Sequence, residues 1–312
     1  MVVCGTHEGL YRLDGPFAEP TIVATCGRVR AVVHSGDARI AATDDGLLRS
    51  TDGRNWVDVG LSTQPTSVLA APETFVVGTR PVDVRRASSD PSGDGWQFES
   101  VGDLSAHPHN ERWRDRAPGS GPSVRTLTMH PDDGILAGLE PGGVYAFDGD
   151  FWRRYGRGVH DDVHDLRVLP GGSVVAATGN GLYRTDDGGT WYRVDTDFRD
   201  FWANYFRETI YHENRLYTSA NRWGPERPSG VIFSAVTEGG GLDGRPLENA
   251  PVPTDHPAFV ISWTTTDGTV VGGTMRVGDG FEQTAPSPLV VRDGDGWTVG
   301  ATLPAGITSL ST

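Results

Sequence analysis

GLLRSTDGRNWVDV at 46–59 returns as GLYRTDDGGTWYRV at 181–194, with weaker copies in GLYRLDGPF (9–17), GGVYAFDGDFWRRY (142–155) and PLVVRDGDGWTV (288–299). Each copy is a short alternating strand followed by an Asp-Gly-type turn; in four of the five a Trp then opens a second strand. Asp-Gly between alternating runs is a strong hairpin signal, because a type I′ turn needs φ > 0 at both central positions. Self-similarity at a pitch of tens of residues means a repeat architecture.

Working outward from these hairpins, each repeat holds four strands. An apolar inner strand comes first: VRAVVH (29–34), TSVLAA (66–71), VRTLTMH (124–130), VHDLRVL (163–169). A small-residue strand follows, as in RIAATDDG (39–46) and SVVAATGNG (173–181), and then the hairpin. Two longer repeats fit the second half, with inner strands TIYHE (209–213) and FVISWTT (259–265). The tryptophans support this division: Trp56 and Trp96, then Trp152 and Trp191, mark successive repeats, while two enlarged repeats fill the gap from Trp191 to Trp297. Left over are AGITSLST (305–312), an inner strand with nothing after it, and an N-terminus with three strands and nothing before them. Joined, they close a ring, which removes the sheet edges an open array would expose. The expected fold is therefore a single all-β domain, a seven-bladed β-propeller of four-stranded antiparallel blades. The blades span 28–63, 64–104, 123–158, 159–198, 199–253, 254–303, and 304–312 joined to 1–27.

Composition agrees with many short strands: of 312 residues, 42 are Gly and 21 are Pro. No apolar run reaches the 18 residues of a membrane helix, and MVVCGTHEGLYR lacks the basic and apolar regions of a signal peptide. The expectation is a cytoplasmic protein with no membrane partner, its Cys4 and Cys26 reduced. All 27 basic residues are Arg, against 41 acidic ones, a net charge of -14. Such a field repels nucleic acid. An acidic surface without Lys fits adaptation to a salt-rich medium, so it says nothing of a cationic partner.

STDGRNW (50–56) and TDDGGTW (185–191) resemble the Asp-box, or BNR, repeat, Ser/Thr-x-Asp-x-Gly-x-Thr-Trp, each one residue short of it. The resemblance implies a propeller in which Asp52 and Asp187 bond turn amides while Trp56 and Trp191 pack between sheets. That family includes sialidases, other glycosidases and non-enzymatic binding or assembly propellers. The sialidase Phe/Tyr-Arg-Ile-Pro motif is absent; GTRPV (78–82) is its nearest echo.

Propeller geometry puts the Asp-Gly turns on one face, and the second-to-third-strand loops on the other. The long insertions 105–122, 221–229 and 276–288 all fall on that second face, where loops more often carry function. Candidate ligand-binding residues there are His7, Glu8, Asp45, Arg80, Glu140, Arg222 and Arg276 from the loops, and Arg125 and His164 from inner-strand starts. Arginine can clamp a carboxylate bidentately. Trp113, Trp202 and Trp223 in the insertions form an expected surface patch that would stack on a sugar or anchor a protein. HDDVHD (160–165), with His107 and His109, offers metal-ligand residue types without a known ligand spacing, so no metal is assigned and no cofactor is implied. Two functions remain in view. One is a binding or assembly propeller that recognises a protein or a small ligand on the insertion-bearing face. The other is a hydrolase or lyase, glycosidase-like, acting on a carboxylated sugar or small metabolite in the axial pocket, with catalytic residues unassigned.

Overall fold

The repeats fold as seven four-stranded antiparallel sheets. The computed structural model describes all residues except 72–73, 90–94, 118, 120, 195–202, 223–228, 238–241, 243–246 and 279–280. Blade one holds Val29–Ser35, Ala38–Thr43, Gly46–Ser50 and Val57–Asp58. Blade two holds Gln64–Ala71, Thr74–Arg80, Val84–Ser89 and Trp96–Ser100. Blade three holds Ser123–His130, Gly134–Glu140, Gly143–Phe147 and Trp152–Arg154. Blade four holds Val163–Val168, Val174–Thr178, Gly181–Thr185 and Tyr192–Arg193. Blade five holds Ala203–His212, Arg215–Arg222, Ser229–Val236 and Glu248–Pro251. Blade six holds Ala258–Thr266, Thr269–Arg276, Ser287–Asp293 and Gly296–Leu303. Blade seven joins the two chain ends: Ile307–Ser311 pairs with Val2–Thr6, followed by Gly9–Leu13 and Thr21–Thr25. The ring therefore closes through main-chain hydrogen bonds between the termini.

Every inner strand slips register near the same end, and that of blade five slips a second time between Ala203 and Tyr205. One residue bulges out between Val29 and Ala31, Pro65 and Ser67, Val124 and Thr126, Val163 and Asp165, and Val260 and Ser262. In blade seven the residue between Ile307 and Ser309 is skipped. In blade five Arg207 and Glu208 together oppose Ser219. The inner strand there begins at Ala203, not at Thr209 as the sequence pattern suggested. The apolar residue before the bulge is fully buried in blades one, three, four, five, six and seven: Val29, Val124, Val163, Phe206, Val260 and Ile307. Each leans on the small second strand of a neighbour, and a Cβ added at Gly5, Gly138 or Gly273 would come within 2.6 Å of Val29, Val163 or Ile307. The small-residue strand is small for this reason.

The residue after each bulge ties one blade to the next. The Val32 N–H donates to Ser309 Oγ (2.9 Å), and the Leu310 N–H to Ser262 Oγ (3.0 Å). The Thr209 N–H donates to Asp165 Oδ2 (2.8 Å), and the Trp263 N–H to Glu208 Oε2 (3.3 Å). Thr126 Oγ1 donates to Asp165 Oδ1 (3.3 Å), and Ser67 Oγ to the Val124 carbonyl (2.8 Å). In blade one the equivalent residue is Ala31, which has no polar side chain, and that junction packs Ala42 and Leu47 on Val68 and Val77. Farther out, tryptophans continue the work: Trp152 Nε1 donates to the Val101 carbonyl (2.6 Å) and Trp191 Nε1 to the Tyr155 carbonyl (2.9 Å), each across a blade boundary.

Replacing Ser309 or Ser262 with Ala leaves a buried main-chain N–H without its acceptor. Each change is expected to cost about 1–3 kcal/mol, read as a lower urea midpoint at an unchanged m-value.

Candidate functional site

In six of the seven blades the bulge aims one side chain toward the propeller axis, and the residues after the bulges form a second tier below. In blade seven the bulged Thr308 instead donates its hydroxyl to the Val29 carbonyl (2.6 Å). The upper tier is Arg30, Thr66, Arg125, His164, Arg207 and Ile261, all lining a cavity of about 410 Å³ at one mouth of the channel. Below it, Ser67, Thr126, Asp165, Glu208, Ser262 and Ser309 line the channel interior, about 450 Å³. The upper mouth lies on the face of the second-to-third-strand loops. There Thr6, Thr43 and Thr178 each donate a hydroxyl hydrogen bond to a Gly carbonyl three residues on, and each hydroxyl accepts the N–H two residues on. The closing Gly9, Gly46 and Gly181 have φ of 145°, 144° and 116°, which disfavours a side chain.

The dominant chemistry is cationic. Arg28, Arg30, Arg80, Arg125 and Arg207 all line the mouth. Burial, followed by repulsion from Arg125 and Arg30, pushes the Arg28 guanidinium down to about 10. Burial lowers Arg80 and Arg207 as well. The Arg28 guanidinium remains charged at neutral pH, since about 10 lies far above 7. His7 differs: burial and the Arg28 charge push it down to about 4, so it stands neutral beside them. Partial partners exist: Arg30 Nε meets Asp44 Oδ1 at 2.6 Å, Arg125 Nε meets Glu140 Oε2 at 3.4 Å, and Arg80 Nη2 donates to Ser123 Oγ (3.1 Å). The buried Nε atoms of Arg28 and Arg80 have no hydrogen-bond partner among the described residues. The Arg207 guanidinium stands 4.5 Å from the Tyr205 ring centroid and 5.2 Å from that of Phe281.

Several expected site residues meet here, and others do not. His7, Arg80, Arg125, Glu140 and His164 share the mouth. Glu8 is exposed at the rim, because the second position of its turn faces away from the axis where the first, His7, faces in. Asp45, in the matching position, accepts the Gly27 N–H (2.5 Å). Arg276 pairs outward with Glu282 (2.9 Å) and does not line the mouth. Arg222 lines a separate peripheral cavity of about 440 Å³ with Phe233, Val252 and His256, away from the axis. The expected surface patch fails at Trp113, which is 2% exposed and joins the core of blades two and three beside Leu104 and Tyr145. His107 stacks on that ring, and His109 Nδ1 meets the Tyr145 hydroxyl at 2.8 Å. The helix Asn110–Arg116 is thereby pinned to the rim and leaves the mouth open. Trp202 and Trp223 lie outside the described residues.

In HDDVHD, His164 is buried and its Nδ1 meets the Phe206 carbonyl at 2.5 Å, while Nε2 stands 3.3 Å from Asp162. These contacts belong to the junction of blades four and five. Arg28, Arg207, Ile261, Met275 and Phe281 were not foreseen. A signal for Arg207 existed: Phe206-Arg207-Glu208-Thr209 repeats the apolar-basic-x pattern of Val29-Arg30-Ala31-Val32 and Val163-His164-Asp165-Leu166.

Glu208 is the strained member of the lower tier. Burial, together with the Asp165 carboxylate beside it, pushes its carboxyl up to about 7. Asp165 itself takes three donors, the Thr209 N–H, Thr209 Oγ1 and Thr126 Oγ1. The folded protein holds a proton on Glu208 at pH values where the unfolded chain, near 4.5, has released it. Stability should therefore fall as pH rises from about 4.5 to about 7, and remain lower above that window. Urea unfolding between pH 5 and 8 is expected to show this slope in the wild type and a flatter profile in Glu208→Gln.

No protein-family model matches the chain, and no curated protein matches it in sequence. Solved structures do. YCF48 from Cyanidioschyzon merolae is 16% identical with a TM-score of 0.60, over 89% of this chain and 88% of that one. YCF48 bound to D1 peptide is 13% identical with a TM-score of 0.58, over 87% of this chain and 81% of that one. An ancestral GH74 enzyme is 14% identical with a TM-score of 0.57, over 94% of this chain but 39% of the enzyme. At these identities the likeness shows a shared propeller fold.

Proposed function

We propose that this chain is a non-catalytic binding propeller that captures an anionic ligand in the axial mouth on its insertion-bearing face. The observation that carries the reading is five arginines converging on one cavity in a chain of net charge -14. Burying like charges together is costly unless an opposite charge joins them. The carboxylates nearby offset only part of it, and two buried guanidinium Nε atoms are left over. An anion that displaces water from the mouth supplies both the charge and the acceptors, in geometry suited to bidentate pairing. The size of the cavity suits a small molecule or the end of a larger one.

Binding is favoured over hydrolysis by how the carboxylates are used. Glycoside hydrolysis needs an acid and a base or nucleophile flanking the bond. Here Glu140 faces Arg125, Asp44 faces Arg30, and Asp162 faces His164. The reading also takes the Asp-Gly turns as Asp-box turns of structural purpose. In support, Asp52 Oδ1 accepts the Arg54 and Asn55 N–H groups (both 2.8 Å), and its carboxyl is held well below the usual range by those bonds. Solved propellers of this shape include both a peptide-bound protein and an enzyme, so the fold itself is neutral between the two.

The test is ligand-induced stabilisation at low ionic strength. Acetate, succinate and gluconate are expected to raise the thermal midpoint in a dose-dependent way, with choline inert. The double variant Arg80→Gln/Arg125→Gln should lose the effect. No stabilisation by any carboxylate would remove the proposal, and turnover of an aryl glycuronide would replace it with the hydrolase.

A further inference from the structure

The mouth is not uniformly cationic, and its asymmetry follows blade order. Blades one to three contribute Arg28, Arg30, Arg80 and Arg125, whereas blade six contributes Ile261, Met275 and Phe281, with Gln283 beside them. In a seven-membered ring the blade opposite the gap between blades two and three is blade six. The apolar side chains therefore stand across the axis from Arg80 and Arg125. Ile261 and Met275 belong to an apolar cluster with Phe259 and Val277, and Phe281 packs on the Phe259 ring at 5.7 Å between centroids. Phe281 nevertheless remains 39% exposed beside the cavity. On blade five Arg207 lies between the Tyr205 and Phe281 rings, so the aromatic wall runs on into the cationic one.

Resting on the anion-binding reading above, we infer that the ligand is an amphiphilic carboxylate: an anionic group seated on Arg80 and Arg125, joined to an apolar or aromatic body lying against Met275 and Phe281 of blade six. A sugar acid carries hydroxyls around its whole body. In this site most of those hydroxyls would lie against Ile261, Met275 and Phe281, which offer no hydrogen bonds, with the Gln283 amide beside them too small to replace their lost hydration. An aryl or alkyl carboxylate instead buries its body against apolar surface while its charged end keeps full pairing.

Titration calorimetry with three probes of comparable length tests this: 4-phenylbutyrate, gluconate and 4-phenyl-1-butanol. Phenylbutyrate is expected to bind at least tenfold more tightly than either of the others. Phe281→Ala should bring it down toward gluconate's affinity, and Arg80→Gln should weaken both acids. Because Phe281 is partly exposed, its variant is expected to keep the wild-type thermal midpoint, which separates a lost contact from a lost fold. Equal affinity for phenylbutyrate and gluconate would overturn the amphiphile while leaving an anion site standing. Equal affinity for phenylbutyrate and the alcohol would overturn it also, by showing the charge to be idle. If neither acid bound, the anion-binding reading would fall first and this inference with it.

Discussion

A register slip in each inner strand organises this protein. The bulge breaks the alternation that would send successive side chains to opposite sheet faces, so in six of the seven blades two neighbouring residues reach the axial region instead of one. The first builds the mouth, with Arg30, Arg125, His164 and Arg207 among its members. The second, such as Ser309, Ser262, Asp165 or Glu208, reaches the next blade and accepts one of its main-chain N–H groups. The ties between neighbouring blades and the cationic mouth are therefore two consequences of one backbone irregularity. The fully buried residue before the bulge, and the small residue facing it across the blade boundary, fix how closely the sheets approach.

Electrostatics then divides the molecule. The surface as a whole is acidic, whereas the mouth concentrates guanidinium groups at reduced solvent exposure. Low local dielectric strengthens both their mutual repulsion and any attraction to an anion. The neutral state of His7 follows from the same crowding. Beneath them, the buried Glu208 holds a proton to about pH 7 because burial and the Asp165 carboxylate beside it both disfavour its charged form. The two carboxylates are on adjacent blades, so their conflict is built into the ring and not into either strand.

Much of the architecture was legible in the chain. The repeated hairpins, the leftover strand at 305–312 and the three unpaired strands at the start implied seven blades and a closure through both termini, and the sheets are arranged so. The site was legible in part. Arg80 and Glu140, at loop positions, and Arg125 and His164, near inner-strand starts, could be placed by counting strands. Arg207 was missed because the fifth inner strand was begun at Thr209, after the residue that matters. Trp113 was misjudged because an aromatic in an insertion reads as exposed until the surface beneath it is known; here Leu104 and Tyr145 take it into the core.

What the sequence determined by itself was the periodic part: strand alternation, turn chemistry, blade number and the means of closing the ring. These depend on local patterning that any four-stranded repeat must show. Which side chains meet at the axis was decided only in three dimensions. The meeting depends on a register shift within each pair of strands, and a shift of one residue changes which side chain faces the axis, so counting strands alone does not place it. The facing of Arg80 and Arg125 by Met275 and Phe281 is a property of the closed ring, since residues roughly 150 to 200 positions apart come to share one cavity only when the last strand pairs with the first.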